Sequence, residues 1–148
     1  MKKEELTHFI ETTLQFFKEV SGKSAECGIP FLKKEEPIVL EYTGIIGISG
    51  ERKGSIYFTT EKIQLSSLAK IMLGIDDVTS EDLKDLAGEI ANTISGNLRQ
   101  IFGDEFLISI PVIVEGQARD IRLPEDIESY VIPINWQNSK SYLVVCLE

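Results

Sequence analysis

One stretch of the sequence, residues 80–103, constrains the fold more than any other. Its apolar residues recur at the three- and four-residue spacings of an amphipathic helix with one buried face. The apolar positions are Leu83, Leu86, Ala87, Ile90, Ala91, Ile94, Leu98, Ile101 and Phe102. Ser80 is the predicted N-cap, because its hydroxyl can accept an unpaired backbone N–H of the first turn. Gly103 is predicted to end the helix in a left-handed conformation, which glycine tolerates.

The opposite side of this helix carries a narrow polar stripe, which we call the polar face. It consists of Asp85, Glu89, Asn92, Gly96 and Arg99. At about 100° per residue, these positions fall within roughly 40° of one line. Gly96 leaves space beside Asn92 for the backbone of a partner, although a glycine inside a helix costs about 1 kcal/mol against alanine. Spacing alone favours a solvated surface, as on most helices.

The first third of the chain predicts one more helix and a sheet. Residues 3–21 have apolar residues at helical spacing and end at Ser21-Gly22. Residues 24–33 predict a strand, and its proline places that strand at an edge or a bulge. Residues 38–59 predict a β-hairpin around the polar turn at residues 50–54.

Residues 61–73 predict a third helix. Thr60 is its predicted cap, and Gly74 ends it. Its expected apolar lining is Ile63, Leu65, Leu68, Ala69, Met72 and Leu73.

The end of the chain returns to β structure. Residues 106–114 predict an apolar strand interrupted by a proline, and residues 116–125 a polar loop. Residues 127–147 predict a second hairpin, with its turn at Asn138-Ser139. The last strand, residues 141–147, is apolar and needs a covering neighbour, from this chain or from a second copy. The predicted fold class is α+β: a largely antiparallel sheet with about three helices packed on one face.

Length and charge limit the function. The 148 residues predict a single domain, residues 1–148. The net charge of −9 argues against unassisted binding to nucleic acid or to anionic lipid. The sequence has no apolar run of about 18 residues and no apolar signal core, so we expect no membrane span and a cytoplasmic location.

Few side chains offer independent chemistry. Cys27 and Cys146 are far apart in predicted strands, which favours buried free thiols over a disulfide or a metal pair. His8 is the only histidine, so a histidine-rich metal site is excluded. The glycines at residues 50–54 do not match a phosphate-binding loop, and we find no nucleophile–base pair.

The polar face resembles a known motif. The string Asp85-x3-Glu89-x2-Asn92-x3-Gly96 is similar to the signature helix of the CheC/CheX/FliY phosphatases of bacterial chemotaxis. The resemblance extends from the first predicted hairpin to the final strand. CheC proteins carry two copies of the signature.

The first helix decides between branches of that family. Glu11 and Leu14 have the spacing of Glu89 and Asn92, with leucine where the signature needs asparagine. The chain therefore resembles the one-site CheX branch more closely than CheC.

The resemblance implies a phosphatase that acts on the aspartyl phosphate of a CheY-type response regulator. Glu89 would engage a lysine of the regulator, and Asn92 would orient the attacking water. Asp85, Gly96 and Arg99 would contact the partner. The resemblance also implies Mg²⁺ on the regulator, no cofactor of the chain's own, and a homodimer formed by joining sheets.

Two alternatives remain open at this point. One is a non-catalytic module of the same fold that binds a response regulator or the flagellar switch; the joint presence of Glu89 and Asn92 favours catalysis over it. The other is a regulatory α+β domain with a small-molecule pocket, for which no loop supplies a ligand motif.

Overall fold

The computed structural model describes residues 2–33, 37–116 and 128–148. Within these residues, three helices pack on one open antiparallel sheet of eight strands, which confirms the predicted α+β class. The helices are α1 Lys3–Ser21, α2 Lys62–Leu73 and α3 Ser80–Phe102. The strands are β1 Glu26–Cys27, β2 Phe31–Lys33, β3 Tyr42–Gly50, β4 Gly54–Thr60, β5 Phe106–Ile108, β6 Val112–Glu115, β7 Ser129–Trp136 and β8 Ser139–Leu147.

The strand order is β1-β7-β8-β4-β3-β5, with β2 also paired to β7 and β6 also paired to β3. The apolar strand β8 therefore lies in the interior of the sheet, between β7 and β4. Neighbours from the same chain cover it, so this strand gives no reason to invoke a second copy. The outer edges are formed by β1 and β2 on one side and by β5 and β6 on the other.

Proline divides two of the predicted strands. Residues 24–33 form two short strands, β1 and β2, that both pair antiparallel with β7, and Pro30 lies between them. Residues 106–114 likewise give β5 and β6, both paired with β3, with Pro111 between them. Because proline cannot donate to a β-ladder, each break falls on an outer strand.

The hairpins differ from the predictions at their ends. The first begins at Tyr42 and not at residue 38. The second turns at Gln137 and Asn138, whose φ angles are +51° and +59°, so that the predicted turn residue Ser139 already pairs with Trp136. Two successive positive φ angles are typical of a tight hairpin turn. The predicted loop at residues 116–125 lies, except for Gly116, outside the described residues.

Helix α2 begins at Lys62, and its N-cap is Glu61. The predicted cap, Thr60, is wrong, because Thr60 still pairs with Ser141 in the β4–β8 ladder. The carboxylate of Glu41 instead accepts the backbone N–H of Lys62 at 3.0 Å. The start of the helix is thus stabilised from the loop before β3.

The main core lies between the helices and the sheet. Its largest fully buried side chains include Phe9, Phe17, Phe58, Leu65, Ile90 and Trp136. Three predicted core residues are wrong: Ile63, Leu73 and Ile101 are 65%, 48% and 48% exposed. No helix in the described ranges is both long and apolar enough to cross a bilayer.

Helix α3 approaches β3 very closely. A Cβ atom on Gly44 would lie 2.5 Å from the backbone oxygen of Ala87 and 3.0 Å from the Cβ of Ala91. Any side chain on Gly44 would therefore push the helix away from the sheet. This contact sets the height of α3 above the sheet.

We expect Gly44→Ala to lower the free energy of unfolding by about 2–3 kcal/mol, because the new methyl group meets backbone that cannot rotate away. Urea denaturation followed by circular dichroism measures the change.

Gly47→Ala, in the same strand, is the matched control. Its Cβ would meet only the side chain of Ser109, at 3.3 Å from Oγ, and we expect a loss below about 1 kcal/mol. Equal stability of the two variants would contradict the close packing at Gly44.

Candidate functional site

The N-terminus of α3 has a capping box one residue before the predicted cap. The backbone N–H of Asp82 donates to the hydroxyl of Thr79 at 3.1 Å, and the backbone N–H of Thr79 donates to the Asp82 carboxylate at 3.0 Å. These bonds, the one from the Thr79 backbone N–H above all, hold the pKa of Asp82 below its usual value. Ser80, the predicted N-cap, is wrong; its hydroxyl donates to Glu115 at 3.2 Å. The Thr-x-x-Asp spacing was the sequence signal for the correct cap.

The other end of the helix closes at Gly103, as predicted, but in a different conformation. Its φ is +101° and its ψ is 179°, outside the left-handed helical region. Its backbone N–H donates to the carbonyl of Arg99 at 2.8 Å. The positive φ still favours glycine.

Helix α3 buries its apolar stripe and exposes the polar face. The buried positions are Leu83, Leu86, Ala87, Gly88, Ile90, Ala91, Ile94, Ser95 and Leu98. On the opposite side, the side chains of Asp85, Glu89, Asn92 and Arg99 are exposed, and Gly96 is half-buried. The structure therefore places all five residues of the polar face along one helix. Residues three apart, such as Glu89 and Asn92, have Cβ atoms about 5–6 Å from each other.

The side chains at the centre of the polar face are free to meet a partner. Asp85, Glu89 and Asn92 make no hydrogen bond or ion pair with any described residue. Arg99 is partly engaged, since its guanidinium donates to the carbonyl of Asp104 at 3.4 Å. Two carboxylates and an amide therefore stand on one helix with no partner among the residues that the structure describes.

A charged network anchors α3 to β6. The Lys84 ammonium pairs with Glu115 at 3.1 Å and with Glu81 at 3.2 Å, and the hydroxyl of Tyr42 also reaches Glu115. The hydrogen bond with Lys84 lowers the pKa of Glu115, and the same bond raises the pKa of Lys84. Sequence reasoning missed this network because Lys84 and Glu115 lie far apart in the chain, with no pattern that links them.

The two glycines inside α3 have different surroundings. A Cβ atom on Gly88 would lie 2.8 Å from Cδ1 of Ile113 and 3.6 Å from Cγ of Pro111. Gly88 therefore lets β6 pack against the helix. A Cβ atom on Gly96 would meet nothing within 4 Å. Packing explains the first glycine and does not explain the second.

A groove runs beside the polar face, between the end of α2 and α3. It has a volume of about 240 Å³ and is lined by Leu73, Asp82, Asp85, Leu86 and Glu89. We call it the α2–α3 groove. Sequence reasoning missed it because Leu73 was predicted to be a core residue of α2.

The remaining candidate residues do not converge on the polar face. His8 packs edge-on against Phe102, with ring centroids 5.9 Å apart. Cys27 lies in β1 and Cys146 in β8; neither forms a disulfide, and burial raises the pKa of both thiols. In the part of the chain that is described, no three histidine, cysteine or acidic side chains are grouped to hold a metal ion.

Comparisons with known proteins agree with one another. The sequence model of a family described as chemotaxis phosphatase CheX matches residues 42–135. A CheC-like superfamily protein from Shewanella sp. PV-4 has a TM-score of 0.88 and 26% identity, over 100% of this chain and 99% of that one. The chemotaxis protein CheX from Desulfovibrio desulfuricans has a TM-score of 0.86 and 27% identity, over 98% and 99%. No curated protein matches the sequence.

A more distant structure shares the fold. It is a complex of CheX, CheY, BeF3 and Mg²⁺ from Borrelia burgdorferi. The match has a TM-score of 0.77 and 19% identity, over 97% of both chains.

The capping box gives a direct test of how α3 begins. We expect Thr79→Ala to lower the free energy of unfolding by about 1 kcal/mol, because the cap hydrogen bond that satisfies a backbone N–H of the first turn is lost. Ser80→Ala, which removes only an exposed bond to Glu115, should change it by less than about 0.5 kcal/mol. Urea denaturation at pH 7 measures both. A larger loss of stability for Ser80→Ala than for Thr79→Ala would indicate that Ser80 is the N-cap.

The pH dependence of stability provides the control for this assignment. Because the pKa of Asp82 is lowered in the folded chain, its contribution is present above the unfolded pKa of about 4 and is lost as pH falls through the folded value. The stability difference between the wild type and Asp82→Asn should therefore shrink as the pH falls below about 4. A difference that stays constant to pH 2 would contradict the cap.

Proposed function

Because this chain belongs to the CheX chemotaxis phosphatase family, we propose that it hydrolyses the aspartyl phosphate of a CheY-type response regulator. One observation carries the proposal: Glu89 and Asn92 stand side by side on an exposed helix face, without partners among the described residues. The family is one of phosphatases that act on phosphorylated CheY. The residue roles below are proposals for this chain.

The proposed partner is a phosphorylated receiver domain that brings its own metal. The Borrelia burgdorferi complex contains CheX together with CheY, BeF3 and Mg²⁺. We propose the same arrangement here, with Mg²⁺ bound by the receiver. The chain then needs no cofactor of its own, because the partner supplies the metal and the phosphoryl group.

Glu89 is the proposed docking residue. Its carboxylate is exposed and unpaired in the described part of the chain, on a helix that is packed along β3. An ion pair with a lysine of the receiver would place α3 over the phosphorylation site. The helix brings the carboxylate in a fixed direction, so little ordering is needed at the moment of docking.

Asn92 is the proposed catalytic residue. Its amide can accept a hydrogen bond from water and donate one to a phosphoryl oxygen, so it can hold a water in line with phosphorus. The water oxygen then bonds to phosphorus, the bond to the aspartyl oxygen breaks, and the carboxylate leaves with the electron pair. The water protons end on phosphate. An acyl phosphate is already reactive, so orientation of the water can suffice.

The rest of the polar face is proposed to contact the receiver. Gly96 has free space where a side chain would stand, which lets the backbone of a partner approach beside Asn92. Asp85 lies one turn before Glu89, away from Asn92, which limits its repulsion of the phosphoryl group. Arg99, at the far end of the face, can pair with an acidic group of the receiver.

The two proposed roles predict different kinetic effects. We expect Asn92→Ala to lower the maximal rate of receiver dephosphorylation by about a hundredfold, since the water loses its orienting group. Glu89→Ala should chiefly raise the KM for the phosphorylated receiver, by about tenfold, since docking loses an ion pair. Decay of a phosphorylated CheY-type receiver from the same genome, with Mg²⁺, measures both.

Matched controls keep the residue type and change the position. Asn97→Ala alters another asparagine of α3 outside the polar face, and Glu11→Ala alters an exposed glutamate of α1. Both should retain the wild-type rate. If the wild type binds the phosphorylated receiver without speeding its decay, the chain is a binding module and the proposed activity is wrong.

We also propose that the chain forms a homodimer through an outer edge of the sheet. Both edges expose apolar side chains: Phe31 and Leu32 on β2 are 42% and 47% exposed, and Leu107 and Val112 on β5 and β6 are 43% and 60% exposed. Exposed apolar edges favour association with another strand.

Light scattering should give twice the chain mass of 16.6 kDa at micromolar concentration. Leu32→Lys and Val112→Lys place one charge on each edge, and the variant that falls to the monomer mass identifies the edge that pairs. A monomer mass for the wild type would contradict the dimer.

A further inference from the structure

The α2–α3 groove combines an apolar floor with an acidic rim. Leu73, 48% exposed, and Leu86, which is buried, supply the apolar surface. Asp82, Asp85 and Glu89 supply the carboxylates. The Asp82 carboxylate is already committed to the capping box, so the groove has two carboxylates left for a ligand.

No cation of the chain neutralises these two carboxylates within the described ranges. Lys84, the nearest lysine in sequence to Asp85, is bound by Glu81 and Glu115 on the other side of α3. The net charge of the chain is −9. The groove therefore complements a partner surface that is positively charged, and it repels an acidic one.

The groove is continuous with the polar face. Two of its lining residues, Asp85 and Glu89, belong to both. A receiver that docks over Asn92 through Glu89 would therefore also cover the groove. Asp85 and Glu89 are four positions apart on the helix, a rise of about 6 Å along the axis. That distance is enough for each carboxylate to meet a different cation.

We propose that the α2–α3 groove determines which receiver the chain acts on, by binding a second lysine or arginine of that receiver. The aliphatic stem of this side chain packs on Leu73 and Leu86, and its cation pairs with Asp85. Long cationic side chains bury their aliphatic stems on apolar surface and keep the charged end near water. The groove matches this behaviour, because its floor is apolar and its rim is acidic. The inference rests on the proposed function, because the receiver is the ligand.

Four variants test the groove. Leu73→Ser removes the exposed leucine of the apolar floor, and Asp85→Asn removes the charge of the carboxylate proposed to bind the cation. Ile63→Ser is the apolar control. Ile63 is 65% exposed on the same helix as Leu73 and does not line the groove. It lies about 15 Å from Leu73 along the helix axis. Glu11→Gln is the charge control on α1.

The measurements are KM and kcat for receiver dephosphorylation, together with the Kd for the beryllofluoride-bound receiver. We expect Leu73→Ser and Asp85→Asn each to raise KM and Kd by about five- to tenfold, with kcat changed less than twofold. The controls should match the wild type. The effect of Asp85→Asn should shrink between low and high salt, and that of Leu73→Ser should persist.

A double-mutant cycle identifies the cation on the receiver. The lysines and arginines around its phosphorylation site are changed to glutamine one at a time. One of these changes should remove the effect of Asp85→Asn, because the pair no longer exists. If no change removes it, Asp85 binds no receiver cation and the proposal is wrong.

The outcomes separate this inference from the proposed function. If the wild type speeds decay and Leu73→Ser behaves like Ile63→Ser, the groove proposal is overturned and the phosphatase stands. If the wild type binds the beryllofluoride-bound receiver without speeding decay, the proposed activity is overturned. The Kd values of the variants then still test whether the groove binds the receiver. If the wild type neither binds nor acts on any CheY-type receiver of the genome, both proposals fall.

Discussion

The close contact between α3 and β3 is the constraint on which the rest of the structure depends. Gly44 brings the strand so near the helix that a single Cβ atom would meet the carbonyl oxygen of Ala87 at 2.5 Å. On the flank, the ion pair of Lys84 with Glu115 and the contact of Gly88 with Ile113 attach the same helix to β6. These contacts hold α3 in one position on the sheet, so its polar face points in one direction. Fixed geometry lowers the cost of holding a water or a partner in place.

The two interior glycines of α3 show how packing and function can be told apart. Each costs about 1 kcal/mol of helix stability relative to alanine. At Gly88 the cost is offset by the packing of Ile113, which could not come so close to a larger residue. At Gly96 no contact within the chain offsets it, since the space is open. A residue that destabilises its helix without improving the packing of the chain is typical of a surface that binds a partner.

Much of this arrangement could be predicted from the sequence, for a physical reason. The 3.6-residue period records which side of a long helix is buried, so the apolar stripe and the polar face of α3 were predicted correctly except at Ile101. The N-cap and the conformation of Gly103 were not. At the ends of elements the period carries less information. Leu73, in the last turn of α2, was predicted to be a core residue. The apolar pattern does not show that the residues covering the rest of this helix end before its last turn. Contacts between distant residues, such as Lys84 with Glu115, leave no local pattern. The proposed roles of Glu89 and Asn92 came from the family resemblance, and the periodicity supplied only their shared face.

The charge of the polar face explains why the proposed site needs a receiver that presents cations as well as a phosphoryl group. A face with unpaired carboxylates should repel a phosphoryl group, and a net charge of −9 strengthens that repulsion at long range. Docking is favourable only if the receiver presents cations where the carboxylates lie, which requires a positive surface around its phosphate. Asn92 is neutral, so, unlike the two carboxylates, it can stand beside the phosphoryl group without electrostatic repulsion. On this view the proposed role of the acids is to select the receiver and that of the amide is to perform the chemistry. Glu89 lies about one turn from Asn92 and Asp85 about two turns from it.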